Sequence, residues 1–213
     1  MKSALSWGRT PYFVFTGGLA IIFLFPLVWS VMASISPHPG TAQTVGYGLG
    51  NYRTLFEFQA GLPTFFLNSV IVSVLTVAVT LFVSTLGGYA FARFNFFGKN
   101  VLFLVTLAIL MVPYATLLIP LFVLLRELGI GNTLYGLALV LAMYQLPFAT
   151  FMMRISFEAV PKEIEESALV DGAGTFDVFR RILLPAVVPG ILTVGLFAFL
   201  AAWNDFFAPL ILI

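Results

Sequence analysis

Residues 158–185 read EAVPKEIEESALVDGAGTFDVFRRILLP, the one long charged stretch set between apolar runs. The chain carries ten Lys and Arg and nine Asp and Glu over 213 residues, and nine of these charges fall here. A charge at mid-bilayer costs about 2.5–3.5 kcal/mol on the insertion scale, so this stretch belongs in water or against a protein partner. Its flanks are of the opposite character. Five runs contain no Asp, Glu, Lys, Arg or His: residues 11–34, 64–91, 101–125, 133–153 and 186–202. An apolar helix crosses the hydrocarbon with roughly 17–25 residues, so each run qualifies, the last only just. Buried helices of a soluble protein would carry polar outer faces, which these runs lack. The whole sequence is 61% hydrophobic and 9% charged, against about 25% charged for a soluble domain. The predicted fold is an all-α polytopic membrane helix bundle with five spans, embedded in lipid.

Loop charges orient the bundle. With the amino terminus cytoplasmic, Lys2, Arg9, Arg93, Lys99, Arg154, Lys162, Arg180 and Arg181 lie inside, and only Arg53 and Arg126 lie outside. That bias places residues 154–185 in the cytoplasm. The first run is too long for a secretory leader, and the MASIS that follows offers no clear small-x-small cleavage site, so it reads as an uncleaved span. Beyond Trp203-Asn204-Asp205 the chain ends on Pro209-Leu-Ile-Leu-Ile213, which reads as the start of a sixth apolar run cut short.

Within the spans, Thr80, Ser84, Gly88 and Ala92 recur every four residues, a small-residue stripe that lets a neighbouring helix approach closely. Pro113 and Pro147 interrupt their runs and are expected to kink them. Asn68, beside Ser69, with Tyr114, Tyr144 and Gln145, are the polar groups at membrane depth. They are candidates to line a pathway; interhelical hydrogen bonding is the competing role for each.

The charged stretch has an order of its own. Pro161 suits the first turn of a helix, and Glu163, Glu165 and Glu166 complement the helix dipole at its amino-terminal half. Ile164 and Ala168 lie one turn apart on one face. Gly172 then stops the helix, free to take positive φ. Thr175 can cap a second helix, with Asp177 in its first turn and Arg180-Arg181 in its last. Phe176, Phe179, Ile182 and Leu183 fall at helical spacing as an apolar stripe, and Pro185 closes the unit. Two short helices hinged at a glycine fit a groove on a partner. The alternative, a helix pair lying on lipid, is disfavoured: residues 154–185 hold four basic and six acidic residues, a poor match for an anionic leaflet.

These residues resemble a known family. Glu166-Ser167-Ala168, then Gly172, then Ile182-Leu183-Leu184-Pro185 is similar to the pattern E-A-A-x3-G-x9-I-x-L-P of the permease subunits of binding-protein-dependent ABC importers, with Ser167 standing where the pattern has alanine. Asn51-Tyr52-Arg53, Leu67-Asn68-Ser69, Gly87-Gly88-Tyr89-Ala90-Phe91-Ala92-Arg93 and Trp203-Asn204-Asp205-Phe206 resemble the sugar-importing branch, similar to the second maltose permease subunit. The resemblance covers residues 10–213 and implies one transmembrane domain over 1–213, with six spans in full-length members. It also implies that residues 154–185 form a coupling segment docking on an ATP-binding cassette subunit. Glu166 would sit at that contact, Ala168 would allow close approach and Gly172 would permit the turn; Ile164, Ser167, Phe179, Ile182 and Pro185 complete the expected coupling set. A second permease subunit and an extracytoplasmic solute-binding protein are the further partners it implies, and a sugar or sugar-like solute the cargo.

Other classes fit less well. The chain has no cysteine, so disulfides, thiolate metal sites and cysteine catalysis are excluded. Its lone Gly98-Lys99 is followed by Asn100 and lacks the earlier glycine of a phosphate-binding loop, so it is not itself the ATPase. An ion-coupled carrier would place ionisable residues within its spans, and these five runs have none. An enzyme would need a nucleophile with a base or a metal cluster, and the sole histidine, His38, sits between Pro37 and Pro39 in a loop. A passive membrane scaffold gives no reason for the long spaced motif. No catalytic residue, metal, cofactor or nucleic-acid partner is expected, and the location is the cell inner membrane.

Overall fold

The computed structural model describes residues 10–213, so Lys2 and Arg9, two of the charges used for orientation, lie outside the described residues. The chain divides into two compact units, one through Phe66 and one from Leu67 to Ile213. All regular structure among the described residues is helical.

The first unit holds α1 (Thr10–Ile35) and the short α2 (Gly50–Glu57). α1 is apolar around its whole circumference, as a lipid-facing span requires. Asn51 ties the two helices: its Nδ2 donates to the carbonyls of Ser34 at 2.9 Å and Ser36 at 2.7 Å. The Tyr52 hydroxyl meets Ser34 Oγ at 2.8 Å. These carbonyls end α1 and have no helical partner of their own, so Asn51 satisfies groups that would otherwise be orphaned.

The second unit is built on α3 (Leu62–Arg93) from Leu67 onward, α6 (Leu134–Glu158) and α10 (Val188–Asn204). α3 and α6 run parallel and touch closely. A Cβ on Gly88 would lie 2.5 Å from Met153 Cβ and 2.8 Å from the Arg154 backbone nitrogen, so only glycine permits this crossing. Thr80, Ser84 and Ala92 of the same stripe are buried, and Thr76 Oγ1 donates to the Ala138 carbonyl at 3.3 Å. With lipid outside, helices gain little from hydrophobic association, and close small-residue packing supplies the attraction. α10 returns antiparallel to α6, pairing Phe148 with Phe197 at 5.4 Å between ring centroids.

Three helices (α1, α3 and α6) are each long and apolar enough to cross a membrane, and two bent pairs raise the number to five if each pair is one span. The first pair is a departure from the single span expected over 101–125. α4 (Lys99–Ala108) gives way to a 3₁₀ turn at Ile109–Met111, and α5 (Tyr114–Glu127) leaves at 103° to it. Pro113 causes the break: it has no N–H to donate and forces Val112 out of the helical region, to ψ 123°. α4 packs beside the half of α6 near its carboxy end, through Phe103 and Phe151. α5 serves the other half, with Leu118 and Leu125 in one cluster with Leu137 and Leu141.

After α10 the helix ends at Asp205, with ψ 130°, and α11 (Phe207–Leu212) follows. Ala208 and Leu212 are buried in the same cluster as Leu118, Leu125 and Leu137. The chain therefore continues along α5 and α6 toward the end of the bundle opposite the charged segment, where Ile211–Ile213 border Gly129–Asn132.

Candidate functional site

Six of the second unit's basic residues gather at one end: Arg93, Lys99, Arg154, Lys162, Arg180 and Arg181. Arg126 alone lies at the other. At the charged end sit α7 (Lys162–Val170) and α8 (Thr175–Val178), a π-turn over Phe179–Leu183, and α9 (Leu184–Ala186). Pro161 stands one position earlier than a first-turn proline, as the residue that caps α7. α7 closes on a full Schellman motif: Gly172 N–H donates to the Leu169 carbonyl at 3.1 Å and Ala173 N–H to the Ala168 carbonyl at 3.0 Å. Gly172 takes φ +88°, and an added Cβ would meet nothing within 4 Å. Its constraint inside this chain is thus conformational and not steric. Gly174, not Thr175, occupies the cap position of α8, with no side-chain bond.

Two attachments hold this segment to the bundle. Arg93, at the end of α3, makes an ion contact from Nε to Glu165 Oε2 at 3.1 Å and donates from Nη2 to the Val160 carbonyl at 2.8 Å. The Arg93 side chain is 4% exposed and that of Glu165 17%. The Nε–H does not point along the contact, so the pair is electrostatic more than a directed hydrogen bond. The second attachment is aromatic. Phe179 lies 4.7 Å from the Tyr89 ring and 6.2 Å from Phe157, and Val178 and Leu183 are fully buried beside them.

The expected coupling residues therefore divide by what they touch. Phe179, Ile182 and Ala168 are half-buried against the bundle's own core. Glu166, Ser167, Ile164, Gly172 and Pro185 are exposed. Two further apolar residues stand clear of the surface: Val170 at 86% exposure and Phe176 at 70%. Val170 was missed in the sequence, where its neighbours gave it no periodic partner.

The second candidate site lies about halfway along α6. Tyr114, Leu141, Tyr144, Gln145, Ala201, Ala202 and Asp205 line a cavity of about 260 Å³. Tyr144 is the eleventh residue of α6, about 15 Å from its start at 1.5 Å per residue. Its hydroxyl donates to the Tyr114 carbonyl at 3.1 Å, and the two rings meet edge to face at 4.4 Å. Pro147, buried one turn along α6, leaves the carbonyl of Met143 without its helical donor. Three of the four pathway candidates, Tyr114, Tyr144 and Gln145, come together here; Asn68, near the start of α3, does not line the cavity. Asp205 was not foreseen. In sequence it stands in the string Trp203-Asn204-Asp205 between apolar runs, and only the break after α10 turns its carboxylate into the cavity. The one available signal was a charge between two apolar runs.

Residues 84–213 match the family model described as binding-protein-dependent transport system inner membrane component. The chain belongs to that family. It is 32% identical over 198 residues to the diacetylchitobiose uptake system permease protein NgcG of Streptomyces coelicolor, covering 91% of this chain and 65% of that one. To the arabinooligosaccharides transport system permease protein AraQ of Halalkalibacterium halodurans it is 34% identical over 223 residues, covering 98% and 76%. Its fold is that of a chain in the crystal structure of a bacterial ABC transporter involved in the import of the acidic polysaccharide alginate. That match has a TM-score of 0.76 at 23% identity, covering 100% of this chain and 76% of the other. The protein is thus a multi-pass inner-membrane permease subunit of an ABC importer, a transport component and not an enzyme. The importer permeases it resembles in sequence are the same branch that its motifs indicated.

Proposed function

We propose that this permease carries a sugar or sugar-like solute and is driven by a separate ATP-binding cassette subunit docked on residues 154–185, which face the cytoplasm. A second permease subunit completes the pathway, an extracytoplasmic solute-binding protein delivers the cargo, and residues 1–213 act as one transmembrane domain. The observation that carries the coupling reading is the double character of the charged segment. One face is locked to α3 through Arg93–Glu165 and Phe179–Tyr89 and to α6 through Phe179–Phe157; the other offers Val170, Phe176, Ile164 and Glu166 to a partner. A segment that must pass a displacement from a partner to the bundle needs both. The gathering of basic residues at the same end supports its cytoplasmic side. The relatives' names support a saccharide cargo, and the uncharged polar and aromatic groups Tyr114, Tyr144 and Gln145 suit a hydroxyl-rich solute.

The test is coupling itself. Gly172→Asp should leave the chain in the membrane while uptake and solute-stimulated ATP hydrolysis are lost. Normal uptake in that variant would refute the docking role.

A further inference from the structure

The cavity holds a group that its transport role alone does not explain, the Asp205 carboxylate. Resting on the transport reading above, we propose that this cavity is a charge-selective contact site for neutral, hydroxyl-bearing solute, with Asp205 as its acceptor and as its barrier to anions. Four observations lead there. Asp205 Oδ1 accepts from the Ala208 N–H at 2.8 Å, and its carboxylate faces the Tyr114 hydroxyl across the cavity. Tyr114 Oη, in the wall of the same cavity, is buried without an aligned hydrogen-bond partner. No Lys or Arg lines the space to neutralise the carboxylate. The edge-to-face Tyr114–Tyr144 pair supplies an aromatic wall.

Together these make a donor, an acceptor and an apolar face around a space bounded by the starts and ends of helices. Adjacent hydroxyls on a saturated ring can give to a carboxylate oxygen and take from a phenol at once, with their C–H faces on the rings. A carboxylate or sulfonate on the solute would meet Asp205 in a setting of low dielectric, where like charges repel strongly. An ionisable residue at membrane depth is costly and is kept where a pathway uses it. The competing role is structural: Asp205 caps α11 through Ala208. Asparagine caps a helix as well as aspartate does, so Asp205→Asn separates the two roles.

The absence of native cysteine makes the measurement clean. Ala201→Cys lines the cavity, and Gln145→Cys is a second reporter on another helix. In membranes holding the assembled importer, the rates of labelling by a trimethylammonium-ethyl and a sulfonate-ethyl methanethiosulfonate are compared. With each rate divided by that reagent's rate on a free small-molecule thiol, the cation should be favoured at least about tenfold, and Asp205→Asn should bring this normalised ratio near one. A neutral disaccharide should slow labelling, and a uronate-bearing disaccharide of the same size should not. An unchanged ratio in Asp205→Asn at both reporters would overturn the proposal, as would equal protection by the two sugars or failure of both reporters to label. Coupling is untouched by these results. If Gly172→Asp still uncouples ATP hydrolysis while the ratio does not move, the cavity assignment falls and the transport reading stands.

Discussion

The charged end and the mid-bundle cavity are built in opposite ways. The charged segment is contiguous: a capped helix, a left-handed glycine and a π-turn follow one another within thirty residues, and each is specified by its own neighbours in sequence. The cavity is assembled from three distant places, the first residue of α5, the middle of α6 and the break after α10. Local instructions build the first part from one stretch of chain. On the proposed reading, the permease joins a contiguous coupling part to a passage assembled from distant residues.

That contrast can be broken most severely at the attachment of the docking segment. Glu165→Ala would leave the Arg93 guanidinium buried and without its counter-ion, and removing one partner of a buried pair costs about 3 kcal/mol or more. The expected result is an early loss of protease resistance at residues 154–185 with α3 and α6 still inserted. Glu165→Gln should lose less, because an amide still satisfies part of the contact. If Glu165→Ala were as resistant as the native chain, the ion pair would not be an attachment.

Phe179 and Phe176 sharpen the comparison within the segment itself. Phe→Ala in a full core costs about 3–5 kcal/mol, and the half-buried Phe179 is expected to lose about 2 kcal/mol of stability through its contacts with Tyr89 and Phe157. Phe176→Ala should leave stability unchanged and weaken association with the ATPase subunit by about 1 kcal/mol or more. Thermal unfolding and copurification, read side by side, check both. Reversed outcomes would mean that the stripe faces the partner on its Phe179 side.

The smallest effect belongs to the cavity wall. Tyr144→Phe removes the hydrogen bond to the Tyr114 carbonyl, a change of about 1 kcal/mol. It should lower uptake modestly and leave the Arg93–Glu165 end and its ATPase stimulation intact. Loss of coupling in Tyr144→Phe would show that the two regions are less separate than their construction indicates.

How much could be read from the sequence follows the same division. The runs over 11–34, 64–91 and 133–153 needed only apolar length, and α1, α3 and α6 stand there. The stop at Gly172 was legible because positive φ is a local demand. The 103° break at Pro113 was expected only as a kink, since proline specifies that a helix is interrupted but not where the next one points. The inward face of Phe179 was hidden: helical spacing shows that Phe176, Phe179 and Ile182 share a stripe, not which body the stripe covers. Asp205 was hidden for a related reason, because a charge after an apolar run reads as a loop until a second broken helix is seen to enclose it.

The docking claim is tested most directly at Val170, the most exposed apolar residue of α7. Val170→Cys in the otherwise cysteine-free chain is probed with a membrane-impermeant thiol reagent in right-side-out and inside-out vesicles, with and without the ATPase subunit. Labelling only in inside-out vesicles, and its loss when the ATPase subunit is assembled, is the expected result. Labelling from the outer face, or equal labelling with and without the ATPase subunit, would contradict it.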